Sequence, residues 1–430
     1  MREFDVIVVG ASGYTGQRVC EYLAGRARET GQRWAVAGRR AEVLAPLAEM
    51  HGASGFIAAD CTVPGEAADL AARGAAIANL AGPYYGRAET LVGACAAAGS
   101  HYLDLTGELV FVRGIIDRFH ETARESGARI APVAGYEALP FDLMALALLE
   151  AFMARHGASP ARIDLLAGAM QPPPGVTGLS EMISGGTAET MRVMLENDFS
   201  GLADDPTALN PSDDPDRDEI RRAMPYDMTP RPDDLEPWSM PIFPGPYLHP
   251  AVVNRTFALL RREQVPISTA LRYRERLSMG GRAGAFQAPA AYLMSANASV
   301  MGWLMNTPHK APRQIMKSVA DRFFPKPGMG PSLENLDNWH WTITGRASGP
   351  AGAVDMRLDA DGHPGYRTTA NMIAEAALIL ADPAARKPDR AGVLTPALAL
   401  GTAELGRFAA AGLRFSEVEA SQRPLVTARP

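Results

Sequence analysis

Residues 5–16 read DVIVVGASGYTG. A short β-branched run ends at a glycine, the pattern of a strand buried on both faces of a parallel sheet. Three glycines then stand at 10, 13 and 16, a GxxGxxG variant of the dinucleotide fingerprint. Each has a physical task. Gly10 permits the tight turn out of the strand, Gly13 lets backbone approach a pyrophosphate, and Gly16 lets the next helix pack close to the sheet. A helix starting there presents free N–H groups and a partial positive charge to phosphates. Ser12 and Thr15 add hydroxyl donors, and Tyr14 stands among them. The alternative is a glycine-rich turn that only joins two elements. The strand before it and the helix after it supply the context for a nucleotide loop.

Working outward, strands are predicted at 34–38, 56–59, 77–80, 102–105 and 129–134. Helices are predicted at 16–29, 41–51, 87–99 and 110–126. Strand–helix alternation at this pitch implies right-handed crossovers and a doubly wound parallel sheet, an α/β Rossmann fold. The second strand ends in Gly38-Arg39-Arg40, with no acid before Glu42. An NAD site usually carries an acid here for the ribose 2′-hydroxyl, whereas paired guanidinium groups suit the 2′-phosphate of NADP. Two arginines that simply open a solvated helix are the plainer reading. Asp60, at the end of the third strand, is placed either to meet the adenine amino group or to cap a helix. After the fourth strand comes Asn79-Leu80-Ala81-Gly82-Pro83-Tyr84-Tyr85-Gly86. Gly82 and Pro83 make a turn at the ligand-binding edge, and Tyr84 and Tyr85 offer a ring wall beside a nicotinamide or act as packing.

These segments resemble one family. GASGYTG, AGRR, NLAGPYYG, HYLDLTGE and GYEALPFDL stand in the order and spacing of the saccharopine dehydrogenase-like oxidoreductases, a group that includes the trans-acting enoyl reductases. KPGMGPSLENLDNWHW (326–341), GHPGYRTTANMIAEAALILA (362–381) and GVLTPALALG (392–401) carry the resemblance to the far end. The resemblance implies an NADP-binding Rossmann domain over 1–135, completed by helices returning at 365–415. It also implies an α+β domain over 136–364 with a largely antiparallel sheet, for substrate or dimerisation, and reduction by hydride transfer. Where the family reads GFDSIPSD, this chain has Gly135-Tyr136-Glu137-Ala138-Leu139-Pro140-Phe141-Asp142, which is more apolar.

The second half shows a strand at 163–170, a helix at 179–197 and an Asp- and Pro-rich loop at 198–236. Further strands are predicted at 269–277, 339–344 and 354–358, with a turn at 359–362 and helices at 368–381 and 395–410. Hydride transfer needs orientation, exclusion of water and a proton donor. The candidate catalytic residues are Tyr102, Asp104 and Glu137, with Glu108, Tyr136 and Asp142 nearby; each also has a structural reading. Residues 283–307 carry no charge, and 309–324 are basic and amphipathic. That pair reads as a core helix beside a solvated one, or as a peripheral membrane contact or greasy wall.

A net charge of −6 gives no reason to expect nucleic acid. The three cysteines form no CxxC pair, so no metal site is readable. The N-terminus has no basic start and long apolar core, which predicts a cytoplasmic protein, and a homodimer is left open. Three functions follow: an NADP-dependent reductase of a C=C or C=N/C=O bond with a small, apolar, lipid- or polyketide-like substrate; a non-catalytic NADP-binding protein at membranes or lipid droplets; or an opine-type amino-acid dehydrogenase.

Overall fold

A computed structural model describes residues 2–168, 171, 173–174, 185–196, 202, 205–224, 229–230, 239–240, 248–278, 287–307, 309–323, 326 and 329–418. The first part alternates as the sequence predicts: β1 (Phe4–Val9), α1 (Tyr14–Thr30), β2 (Trp34–Gly38), α2 (Ala41–His51), β3 (Gly55–Ala58), α3 (Pro64–Arg73), β4 (Gly74–Asn79), α4 (Glu89–Ala98), β5 (His101–Asp104), α5 (Leu109–Ser126) and β6 (Arg129–Ala131). The helix α3 was not foreseen. Its signals are Pro64 in the first turn and Ala67, Leu70 and Ala71 turned inward at helical spacing.

Then follow α6 (Leu139–His156), β7 (Arg162–Ala167), α7 (Gly185–Glu196), α8 (Arg217–Ala223), β8 (Ser239–Met240), α9 (His249–Arg262), β9 (Arg272–Ser278), α10 (Gln287–Asn306), α11 (Lys310–Phe323), β10 (His340–Gly349), β11 (Gly352–Asp361), α12 (Thr369–Ala381), β12 (Gly392–Val393), α13 (Pro396–Leu400) and β13 (Leu413–Glu417). Residues 169–170 of the predicted strand, 179–184 and 197 of the predicted helix and 283–286, 308 and 324 of the apolar–basic pair lie outside the described residues.

Seven strands form one parallel sheet in the order β12-β6-β5-β4-β1-β2-β3. The order reverses between β1 and β4, which makes their carboxyl ends the ligand-binding crevice of such a sheet. Side chains alternate across it. Val6 and Val8 join the core of α1, α6 and α12, while Ile7 and Val9 join that of α3, α4 and α5. Helix α12 packs on β1, β4 and β5 and beside α1. Its buried Glu375 fixes that contact, accepting from the Tyr22 hydroxyl at 2.7 Å, Arg26 Nε at 3.0 Å and Arg407 Nε at 3.0 Å.

Six strands form the second sheet, β13-β11-β10-β7-β9-β8, in which only β7 and β9 run parallel. Strand β10 alternates buried and half-buried residues, the mark of one covered face. Helix α6 covers it. Gly345 makes the close approach possible, since a Cβ there would stand 2.6 Å from Leu148 Cδ1. Two predictions need correction. The β10–β11 hairpin turns at Pro350-Ala351, and Asp361-Gly362 ends β11 instead. The helix predicted at 395–410 stops after Leu400, because Gly401 takes φ +73°, and only a 3₁₀ segment follows at Leu405–Ala411.

Candidate active site

The β1–α1 turn is built by its glycines. Gly10 has φ +77°, and a Cβ on it would lie 2.9 Å from the Ala81 nitrogen, so the turn sits directly on the β4 loop. A Cβ at Gly16 would lie 2.3 Å from the Gly10 carbonyl oxygen and 2.8 Å from Ala11 Cα. Only glycine lets α1 start this close to the strand. Gly13 caps α1 with extended backbone; no side chain caps it, and no acid stands in the first turn. Ser12 and Gly13 are exposed, with Thr15 half-buried beside them. A pyrophosphate fits this arrangement, since the first-turn N–H groups of a helix have no carbonyl partner within it and lie at its positive end. Tyr14 departs from expectation. Its hydroxyl donates to the Pro331 carbonyl at 2.6 Å, and its ring lies edge-on to Tyr366 and against Gly330. Its side chain therefore ties α1 to the second part of the chain.

Along the edge, Arg39 and Arg40 are both exposed after β2, and Arg40 caps α2 without a side-chain bond. Asp60 neither caps α3, whose cap is Val63, nor stands free. Its carboxylate accepts from the Thr62 N–H at 3.0 Å and the Thr62 hydroxyl at 2.7 Å. Those bonds, with Arg39 nearby, hold its pKa below the usual range. The two exposed guanidinium groups suit a ribose bearing a 2′-phosphate.

The other side of the crevice is a buried network. Asn79 donates to the Tyr102 hydroxyl at 3.0 Å and accepts from the Ala81 N–H at 3.1 Å. Gly82 and Pro83 join through a cis peptide bond. Buried Glu108 then fastens the loop, accepting the N–H groups of Tyr84 at 3.1 Å and Tyr85 at 2.8 Å. Of the two expected ring-wall tyrosines, Tyr84 is turned inward. Its hydroxyl donates to the Asn79 carbonyl at 3.2 Å and its ring packs on Phe111, whereas Tyr85 stays exposed. Tyr102 and Asp104, two of the three expected catalytic residues, are wholly buried. Asp104 Oδ1 accepts the N–H groups of Thr106 and Val133 at 3.0 and 3.1 Å, while burial pushes its pKa up to about 7. Asp142 is likewise buried, holding Thr256 at 2.6 Å and the Ala397 N–H at 2.8 Å. These groups shape the crevice from behind.

Glu137 is different. It follows β6 in a turn where Val133 and Ala138 take φ +62° and +81°, positions non-glycine residues seldom adopt. Its side chain is 41% exposed, and Oε2 lies 3.3 Å from His249 Nε2. His249, the first residue of α9, is buried with its ring 4.3 Å from that of Phe141. Its Nδ1 meets Glu275 Oε2 at 3.0 Å, and the Tyr273 hydroxyl donates to the same oxygen at 2.8 Å. Sequence reasoning missed His249, Glu275 and Tyr273. The alternation of TALRYRERL puts Tyr273 and Glu275 on one strand face, but no local signal marks His249.

The nucleotide half has a direct counterpart among known proteins: residues 6–130 match the saccharopine dehydrogenase NADP binding domain. Over nearly its whole length the chain is also similar to the trans-acting enoyl reductases of Mycobacterium leprae, at 31% identity over 96% of this chain and 97% of that protein, and of Mycobacterium ulcerans, at 30% over 96% and 98%. The chain belongs to the trans-acting enoyl reductase family. This family member is an NADPH-dependent oxidoreductase of saccharopine dehydrogenase-like type, and NADP is its cofactor. Its fold is that of the apo saccharopine dehydrogenase (L-Glu forming) of Saccharomyces cerevisiae, with a TM-score of 0.50 at 12% identity over 97% of this chain and 100% of the other. In this enoyl reductase relative a parallel nucleotide sheet and a second mixed sheet share one chain.

Proposed function

We propose that the chain reduces a carbon–carbon double bond conjugated to a carbonyl in an apolar, lipid- or polyketide-type acyl substrate. The observation that carries this reading is Glu137, the one expected catalytic residue left partly exposed, held against a buried imidazole in the β4–β5–β6 half of the sheet. That half takes the nicotinamide when a dinucleotide spans the crevice. The bound cofactor supplies a hydride, and the protein supplies orientation and a proton. Gly10, Ser12, Gly13, Thr15 and Gly16 take the pyrophosphate in this reading, Arg39 and Arg40 the 2′-phosphate, and Gly82 and Pro83 the turn under the nicotinamide. The names of the full-length relatives support an enoyl substrate. We divide the chain into a nucleotide domain over 1–135, completed by α12 and α13, and a substrate domain over 136–364.

The test is NADPH oxidation with the trans-hexadecenoyl thioester of N-acetylcysteamine. Turnover with formation of the saturated thioester supports the reading. Tight NADPH binding without turnover of enoyl probes would move the non-catalytic reading to the front.

A second observation bears on location. Helix α10 buries Ala291, Ser295 and Ala298 but exposes Tyr292, Leu293, Val300 and Trp303, while α11 exposes Ile315 and Val319. Among the described residues no helix is long and apolar enough to cross a membrane. An interfacial helix places aromatic and aliphatic side chains outward in this way, with cations such as Lys310 and Arg322 at its margin. We assign this face to a lipid surface. Sedimentation with anionic lipid vesicles, lost in Leu293→Asp/Trp303→Asp, supports it; a dimer in solution dispersed by the same variant would assign the face to a second copy.

A further inference from the structure

We propose that Glu137, His249, Glu275 and Tyr273 form the proton-delivery chain of the reduction, in which Glu137 protonates the substrate and buried His249 resupplies it. The inference rests on the reductase reading above. It deepens that reading by saying where the proton comes from.

The geometry runs from the crevice inward. Glu137 is half exposed, whereas the side chains of His249 and Glu275 are 1% and 2% exposed. Three elements far apart in sequence meet here: the turn after β6, the start of α9, and β9. A buried ion pair is a poor way to gain stability, because apolar residues of similar volume do as well or better. Here an imidazole is buried with both ring nitrogens on carboxylates, and only the outer carboxylate, on the turn that follows β6, is partly exposed. The turn carrying Glu137 is flanked by two non-glycine residues at positive φ, a costly conformation that concentrates at functional sites.

The charges agree with this geometry. Burial alone would lower the His249 pKa, but the Glu275 charge and the bonds to Glu137 and Glu275 raise it to about 10. His249 therefore stores a proton through the neutral range. The titratable groups acting on it are Glu137 from the turn after β6 and Glu275 from β9; Tyr136 interacts with these same two carboxylates, Tyr273 with Glu275, and Asp142 from α6 acts on Tyr273. Burial raises Tyr136 and Tyr273 well above their ordinary range, so both stay neutral.

The step balances as follows. Hydride adds to the carbon β to the carbonyl, the nicotinamide is oxidised, and the π electron pair moves to the α carbon. Glu137 accepts the proton on His249 Nε2 and delivers it to that α carbon, forming the new C–H bond. His249 is left neutral, with its other proton on Nδ1 toward Glu275. Water then returns one proton to His249 through the exposed carboxylate of Glu137. Glu137 is the catalytic residue; Glu275 and Tyr273 are positioning residues that hold the ring and its tautomer.

The full-length protein tests this with three variants. In Glu137→Gln, kcat for the hexadecenoyl thioester is expected to fall about 100-fold, the usual worth of a positioned acid, while NADPH affinity is unchanged. The solvent deuterium isotope effect on kcat is expected to rise. Tyr273→Phe, which keeps the ring but removes the hydroxyl proton that shares the Glu275 charge with His249, is expected to move the alkaline limb of the kcat profile to higher pH. Adding His249→Gln to Glu137→Gln is expected to cost little more, because members of one chain are not additive. A readout without turnover is NMR titration of the labelled His249 ring, expected near 10 in the wild type and lower in Glu137→Gln, which removes one stabilising carboxylate. An active wild type with an equally active Glu137→Gln and an unchanged isotope effect overturns the chain alone. A wild type that binds NADPH but does not reduce the thioester overturns the reductase reading and the chain with it.

Discussion

At the β1–β2 end of the parallel sheet, the groups offered to a ligand are backbone N–H groups at the start of α1 and two exposed arginines, all from residues 10–40. At the β5–β6 end they are side chains, most of them buried, drawn from β5, the turn after β6, α9 and β9. The first end recognises by shape and fixed dipoles; a phosphate needs donors at the right distance and little else. In the proposed reaction the second end handles a proton, so it needs groups whose affinity for protons is adjusted by burial and neighbouring charge. Its carboxyl groups divide accordingly. Asp104 and Asp142 are sealed and bond only protein, whereas Glu137 stays partly exposed.

The harshest way to break the first end is Gly16→Val. Its Cβ would stand 2.3 Å from the Gly10 carbonyl oxygen, so backbone must move. NADPH binding in a fluorescence titration is expected to disappear and Tm to drop; retained tight binding would show that the phosphates are held elsewhere. Next comes Arg39→Ala. Losing one charged hydrogen bond costs about 1.5–3 kcal/mol, so NADPH affinity is expected to fall roughly 10- to 100-fold. NADH affinity should hold, and an equal loss for both cofactors would remove the 2′-phosphate from Arg39.

Asp104→Asn probes the second end through stability. The folded pKa of Asp104, about 7, lies above its ordinary value. The protonated acid is therefore the form the fold favours: its contribution is complete in acid, below the ordinary carboxylate pKa, and is lost as pH rises through about 7. Wild-type Tm is expected to decline across that window, and the variant, neutral throughout, to flatten the decline and be several degrees more stable above it. Asp142, raised by burial to about 6, acts with the same sign, so a weaker slope should persist below that pH. A variant with the wild-type slope would show that Asp104 is ionised without penalty. The smallest effect is expected for Tyr14→Phe, which keeps the ring and removes the bond to Pro331. A net loss of about 1 kcal/mol or less should appear in Tm, with NADPH affinity nearly unchanged; a large loss of affinity would return the Tyr14 hydroxyl to the cofactor.

Legibility followed the range of the interactions. The strand–glycine–helix unit and the arginine pair are local patterns, and the structure has them where the sequence predicts. Helix α3 was missed because its alanines give a weak apolar stripe, and α9 because its start lies beyond a proline-rich stretch. Tyr84 and Tyr85 are adjacent and chemically alike, so nothing in their order says which turns inward; Phe111 and the Asn79 carbonyl decide that for Tyr84.

By itself the sequence determined the doubly wound nucleotide fold, the NADP preference and the family. Each rests on turn stereochemistry, periodicity or side chains within a few residues of one another. Tertiary structure alone decided which of these carboxyl groups stays partly exposed and what stands behind it. His249 lies 112 residues from Glu137 and 26 from Glu275, and only the packing of α9 between the turn after β6 and β9 brings the three within hydrogen-bonding distance.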